Sequence, residues 1–409
     1  MSRQSFLIRP LEAVYFGPPQ SFNAGEAHHG GSDFPPSGYA FQGMVRSQLL
    51  RAATPKLNLD DNRRAARYER AALVGDSESL PNSWQITGPL PARVITASGN
   101  HGESHRLEPW TATPRFLLGP AESPCRARLI NQDADAHPAM TDLGQAARLL
   151  GRPDRPDAKP LGGWLSPGNL RYALTAGHPA GRPWESKGYT PHRPPFAHQE
   201  HRPGLALDGD TARHGMLYFL NTLRMHDPDS VAGFYGSLTG DWDERIPADA
   251  LTATLGAAGR KERPAAFEPA PPLDTDFQYL LDGEHLPAEV RPNDCFWLVT
   301  LTPTALDNPA DPLPHGVEGA RVEALGMLSG PPSTIGGYRY ADAATRPNRP
   351  YLPAGTCWLF RLHASDPKHG ANALRRLNNA HPLGDPKEAA FGFGHTLVGL
   401  GYHADEEHA

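Results

Sequence analysis

Cysteine is scarce. Cys125, Cys295 and Cys357 are the three in 409 residues, far apart and without a Cys-x-x-Cys pair. So odd and dispersed a set supports neither a disulfide framework nor a zinc site, and the chain reads as cytoplasmic. Long apolar runs are missing too. Nothing approaches the roughly 18 residues that a membrane helix needs, and Met1 to Phe6 carries no signal-peptide pattern, so no membrane partner is expected. Positive charge is in deficit, with a formal net charge of -6. That argues against a free-standing nucleic-acid binder and requires any RNA site to be local. His101, His105 and His137 are spaced too irregularly for a metal site. Neither a metal nor a cofactor is expected.

Proline and glycine are plentiful, at 44 and 41 residues, which implies many loops and short elements. Hydrophobic residues make up 39% of the chain, enough with glycine for a globular protein, and the length suits two to three domains with real cores.

The most informative stretch runs from Phe16 to Arg51. Before it, Phe6 to Phe16 is β-favouring material, with Pro10 tolerable at an edge or bulge. Pro35-Pro36-Ser37 sets up a helix start with Ser37 as the cap. Phe41, Val45, Leu49 and Ala52 then recur at helical spacing until Thr54-Pro55, with Gln42 and Arg46 four apart off that stripe. Between strand and helix lie Gly17, Gly25, Gly30 and Gly31, a loop whose amides could approach a ligand closely. A Walker motif is excluded, because no Lys-Ser or Lys-Thr pair follows the last glycine.

Tyr15-Phe16, Ser21-Phe22, Gly25, Ser32, Phe34-Pro35-Pro36, Gly43 and Arg46 carry a resemblance. The block resembles the amino terminus of the RAMP superfamily, and within it the third subunit of Cmr (type III-B) CRISPR effector complexes. Further blocks follow in the family's order. These are Leu80 to Pro89, then Arg202-Pro203-Gly204-Leu205 with Gly215 and Leu217-Tyr218, then Gly336-Gly337-Tyr338, Leu352 to Thr356, and Gly392-Phe393-Gly394 with Leu397 to Gly399. Leu205 is a mild departure from the family's isoleucine-type residue. The resemblance implies a non-catalytic subunit that binds the 5′ repeat-derived handle of the guide RNA. It also implies docking to the large polymerase-like subunit and neighbouring RAMP subunits, and a place near the handle-proximal end of target RNA.

Along the chain, Leu205 to Leu207, Asp208 to Asp210 and Met216 to Leu220 read as strand, turn and strand. Pro247 to Ala258 reads as a helix, followed by a short strand near Ala265 to Phe267. Pro264, Pro269, Pro271 and Pro272 mark a linker, giving domains 1–270 and 271–409. The first carries a loop-rich insertion at about 93–188, with a clear helix only at Thr141 to Leu150. In the second, Cys295 to Leu301, Val317 to Leu328, Thr356 to Leu362 and His395 to Leu400 are strands, and His369 to Asn379 is a helix. Thr304 to Pro314 is too proline-rich to supply a first helix. The element order repeats, so the expected fold is α+β: two ferredoxin-like (RRM-like) β-α-β-β-α-β domains in tandem.

Single-stranded RNA needs cations and amides for its phosphates and aromatic planes for its bases. Gly336 to Arg376 offers Arg339, Arg346, Arg349, Arg361, Lys368, Arg375 and Arg376 against Asp342 and Asp366, with Tyr338, Tyr340 and Tyr351 interleaved. The candidate RNA-binding residues here are Gly336, Gly337, Tyr338, Arg339, Arg346 and Arg349. Two glycine loops, Gly256 to Gly259 with Arg260 and Lys261, and Gly392-Phe393-Gly394 with His395, could leave amides open to phosphate. Gly25, Arg46, His201, Arg202 and Arg213 complete the set. An endoribonuclease of the same superfamily is the enzymatic alternative, with His28, His29, His201 and His395 as acid-base candidates, though no spacing identifies a pair. Gly75-Asp76-Ser77 with Asp366 and His369 would suit a Gly-Asp-Ser hydrolase, but a strand and a helix already precede that tripeptide. A purely structural RAMP touching only protein is the third reading.

Overall fold

The computed structural model describes residues 2–18, 29–54, 64–99, 102–130, 149–151, 158–175, 182–208, 211–259, 262–291, 293–317, 320–339 and 344–401. Its first half comprises β1 (Ser2–Pro10), α1 (Gly38–Ala53), α2 (Arg64–Val74), β2 (Gln85–Gly99), β3 (Gly102–Pro109), α3 (Pro167–Thr175), β4 (Ala197–Asp208), β5 (Thr211–Met225), β6 (Ala232–Gly240), β7 (Thr254–Ala258) and β8 (Arg263–Pro269). Ser37 caps α1 by accepting from the Ala40 amide at 3.3 Å, and Phe41, Val45 and Leu49 are buried along one stripe. That stripe packs on an antiparallel sheet of order β7-β8-β1-β6-β2-β3.

The second half comprises α4 (Thr275–Leu281), β9 (Cys295–Thr300), β10 (Arg321–Leu328), β11 (Ser333–Arg339), β12 (Ala344–Tyr351), β13 (Cys357–His363), α5 (Pro367–Leu377), α6 (Pro386–Ala390) and β14 (Thr396–Leu400). Its sheet has the order β10-β13-β9-β14, again antiparallel. The series β8-β1-β6-β2 and β14-β9-β13-β10 follow one rule, each placing its first strand between its last and its third. In both, a hairpin interrupts the connection leading to the third strand: β4/β5 in the first half, β11/β12 in the second.

Alternation along β1 explains how the halves share a core. Phe6 and Ile8 face α1, whereas Leu7 points to the other side and joins Tyr235, Trp297, Leu359 and Leu397 in a second apolar cluster. The β1 strand is therefore buried on both faces, and the second half supplies one of them.

Several expectations need correcting. The helix expected over Pro247 to Ala258 is not formed. Its first part makes isolated turns, with Ala250 N to Pro247 O at 3.1 Å, and Thr254–Ala258 is the edge strand β7 paired with β8. Thr252, Thr254 and Gly256 are weak helix formers, and Gly256 lets the strand lie against Gln48 and Phe267, where a Cβ would come within 2.4 Å of Gln48 Oε1. Pro264 and Pro269 lie inside β8 and not in a linker. The insertion starts as an ordered hairpin, because β2 pairs with β3 out to Gly99. The helix at Thr141 to Leu150 falls outside the described residues except for Leu149 and Leu150, which sit in a short strand beside Arg128–Ile130. Among the described residues no helix is long and apolar enough to cross a membrane.

Candidate nucleic-acid interface

The β11/β12 hairpin carries most of the residues nominated from the basic segment. Gly337 has a φ of 130° at a bulge and open space around it, and Tyr338 beside it is 52% exposed. The hairpin therefore presents backbone and one aromatic ring to solvent. Its arginines are largely engaged. Arg339 pairs with Glu78, and Arg346 bonds the Ser77 carbonyl, lies 3.7 Å from Glu78 and stacks 4.0 Å from the Tyr39 ring centre. Burial pulls the Arg346 pKa down. Arg349 meets Glu388 at 3.0 Å, and Arg361 meets Glu323 at 3.6 Å. The charge reversal read along the chain is thus answered by carboxylates from elsewhere in the sequence.

Glu388 organises the junction between the halves. It is buried, and Oε1 accepts from the Tyr39 and Tyr351 hydroxyls at 2.8 Å each as well as from Arg349. Burial and the neighbouring carboxylate push both phenol pKa values up. Glu388 also anchors the glycine loop, because its carbonyl accepts from the Phe391 and Phe393 amides. The remaining loop amides are used as well: Gly392 N reaches Ala389 O at 2.9 Å and Gly394 N reaches Pro303 O at 2.9 Å. The expected open amides at 392–394 are therefore filled from within. Phe393 is 2% exposed, its ring 4.9 Å from Tyr39 and 5.0 Å from Tyr351, so it cannot stack on a base in this conformation.

His395 is walled in at 1% exposure and stacks on His381 with ring centres 4.8 Å apart. Oxygen acceptors fix both tautomers: His395 Nε2 donates to Asn379 Oδ1 at 2.9 Å, and His381 Nδ1 donates to Phe393 O at 2.8 Å. Burial holds His381 down to about 4 and, with the adjacent His381 and Arg3, holds His395 well below the usual range. Unfolded histidine titrates near ~6.5, so the unfolded chain binds protons that the folded one refuses as pH falls from there towards about 4. Stability should be full above that window and fall by up to ~1.4 kcal/mol per pH unit per histidine within it. Denaturation midpoints at about pH 7.5 and about pH 5 measure this, and His395→Gln should flatten the difference. A variant as acid-sensitive as the parent would contradict it.

In the first half, Arg46 binds Gln42 at 3.0 Å and the Gly75 and Asp76 carbonyls at 2.6 Å each, closing the turn after α2. Asp76 in turn accepts from the Glu78 and Ser79 amides, so Gly-Asp-Ser forms a helix-terminal turn. Asp366 likewise caps α5. His201 pairs with Asn221 at 2.6 Å and Arg202 with Glu200 at 2.8 Å, both on the β4/β5 hairpin. Arg213 belongs to β5. Gly256 lies within β7, and Gly259 turns with a φ of 67° against the Tyr15 backbone. Gly25, Arg260 and Lys261 lie outside the described residues. Among the described residues, no group of three or more His, Cys, Asp or Glu side chains could hold a metal. Sequence reasoning missed Tyr39 and Glu388. A carboxylate following the Asp385-Pro386 helix start was the available signal for the latter.

Solved chains similar to this one include two from cryo-EM structures. One belongs to a cryo-EM structure of the Type III-B Cmr-beta bound to cognate target RNA and AMPPnP, state 1, with a TM-score of 0.43 and 13% identity over 87% of this chain and 86% of that one. The other belongs to a cryo-EM structure of the Type III-B Cmr-beta bound to cognate target RNA, with a TM-score of 0.42, 12% identity and the same coverage. No curated protein matches. The family of the CRISPR-associated protein (Cas_Cmr3) matches residues 6–400, from β1 through both hairpins to the final strand. On that match, which spans nearly the whole length, the chain belongs to the Cas_Cmr3 family.

Proposed function

We propose that, as a subunit of a type III-B Cmr effector complex in the cytoplasm, this chain holds the 5′ repeat-derived handle of the guide RNA. In the same complex it docks the large polymerase-like subunit and neighbouring RAMP subunits, near the handle-proximal end of the target RNA. The observation that carries this reading is the family match across residues 6–400. The shared strand rule of the two sheets supports reading both halves as ferredoxin-like units, the second without its first helix.

The two hairpins are the surfaces best suited to RNA. The β4/β5 hairpin carries exposed His198 and His201 beside Arg202 and Arg224, which are half-buried and paired with Glu200, and β11/β12 offers Tyr338 with the Gly337 backbone. Edge strand β7 exposes Leu255 at 74%, which suits burial by a protein neighbour. The chain is taken as non-catalytic. Of the histidines nominated for cleavage, His395 is sealed from solvent, and His201 is engaged by an amide.

The test is the affinity of the chain for RNA beginning with the handle against a scrambled RNA of equal length. Tyr338→Ala should narrow the difference, because stacking is worth ~1–3 kcal/mol per base. Equal affinity of the unaltered protein for both RNAs would reject handle recognition.

A further inference from the structure

We propose that the groove walled by Pro191, His192, Arg193, Pro194, His198 and Gln199 seats one phosphodiester of the bound RNA, with the Arg193 guanidinium as its partner. This rests on the RNA-binding reading above. The groove is open to solvent and about 660 Å³ in volume, too broad to select a lone small anion and suited to a chain passing through. Its wall is stiff, since Pro191, Pro194 and Pro195 fix their φ angles, and Thr190 Oγ1 donates to the Arg193 carbonyl at 2.5 Å.

Arg193 is held but not neutralised. Nη1 donates to Gln199 Oε1 at 3.0 Å, and the guanidinium sits 5.8 Å from the Phe34 ring centre, itself packed on Trp164 at 5.2 Å. Among the described residues no carboxylate pairs with it, although burial lowers its pKa. Comparable half-buried arginines do have acids: Arg93 has Glu108 and Asp227, and Arg171 has Asp276. The acids nearest in sequence are spent elsewhere, Glu200 on Arg202 and Arg224, and Glu185 on Lys187. A partly desolvated cation without an anion is costly, so an anion from outside is the natural complement. A guanidinium lying on an aromatic face still offers its edge for forked bonds to phosphate. His192 adds a donor at the rim, whereas His198 spends its Nε2 on the His226 carbonyl at 3.1 Å.

The experiment uses the full chain and single-stranded handle RNA, with affinity read across a salt series. Arg193→Gln should weaken binding roughly tenfold, as for one charge-assisted contact. It should also lower the slope of log affinity against log salt by about 0.7. Arg193→Lys should retain the slope, and Arg245→Gln, whose arginine is paired with Asp243 at 2.7 Å, should change neither. Thermal melts identify a folding defect, and in that event exposed His192→Gln, expected to weaken binding to a smaller degree, decides. Arg193→Gln with unaltered affinity and slope would overturn the inference while leaving RNA binding intact. Loss of large-subunit co-purification with RNA binding unaltered would also overturn it, by assigning the anion to a protein carboxylate. Absence of RNA binding by the unaltered chain would instead bring down the functional reading, and this inference with it.

Discussion

Gly392→Ala should destabilise the protein by roughly 3 kcal/mol or more, combining left-handed strain with a backbone clash. Gly392 has a φ of 96°, and a Cβ there would stand 2.4 Å from the Gly88 carbonyl oxygen, between the last loop and β2. The neighbouring Phe393→Ala should cost ~3–5 kcal/mol by opening a cavity among aromatic rings. It would also remove the surface on which α1 begins, since a Cβ on Gly38 would lie 2.7 Å from the Phe393 ring. Denaturant midpoints measure both effects. Variants as stable as the parent that nonetheless lose RNA would restore the phosphate-cradle reading of this loop and contradict the packing account.

Glu388→Ala should destabilise by about 2 kcal/mol, because it strands the buried Tyr351 hydroxyl and the half-buried Tyr39 hydroxyl, and a buried hydroxyl left unsatisfied costs ~1–3 kcal/mol. Tyr39 and Tyr351 also approach each other at 3.1 Å, so part of that penalty is relieved between them. The ion pair adds little, since the Arg349 side chain is 47% exposed and water screens it. Glu388→Gln keeps an acceptor and should cost about 1 kcal/mol. The check is the denaturation midpoint of both variants beside Tyr351→Phe, and a neutral Glu388→Ala would refute the cluster's role. Charge reversal at Arg349 would set a second carboxylate beside Glu388, so a loss of RNA binding in such a variant reports on this junction as well as on phosphate contact.

Local rules made α1 legible: a serine cap, an apolar stripe and a Thr-Pro stop all coincide. The strands of the second sheet were legible for a similar reason, since Cys295–Thr300 and Cys357–His363 are apolar runs of strand length. What stayed hidden depends on distance in sequence. Glu78 lies 261 residues from Arg339, and Glu323 and Glu388 lie on other elements than the arginines they meet, so a windowed charge count overstated the basic patch. Phe393 looked like a loop residue because its burial comes from Tyr39 and Tyr351. β7 escaped because alanine and leucine suggested a helix where pairing with β8 decided otherwise. Arg193 carried no motif, and its significance lies in the acids that turn elsewhere.

The most direct measurement of the central claim is the ratio of affinities for handle-bearing and scrambled RNA of equal length, taken with the chain assembled with its large subunit. The account predicts clear preference for the handle, surviving in Arg245→Gln and reduced in Tyr338→Ala. A ratio of unity in the assembled complex would contradict it.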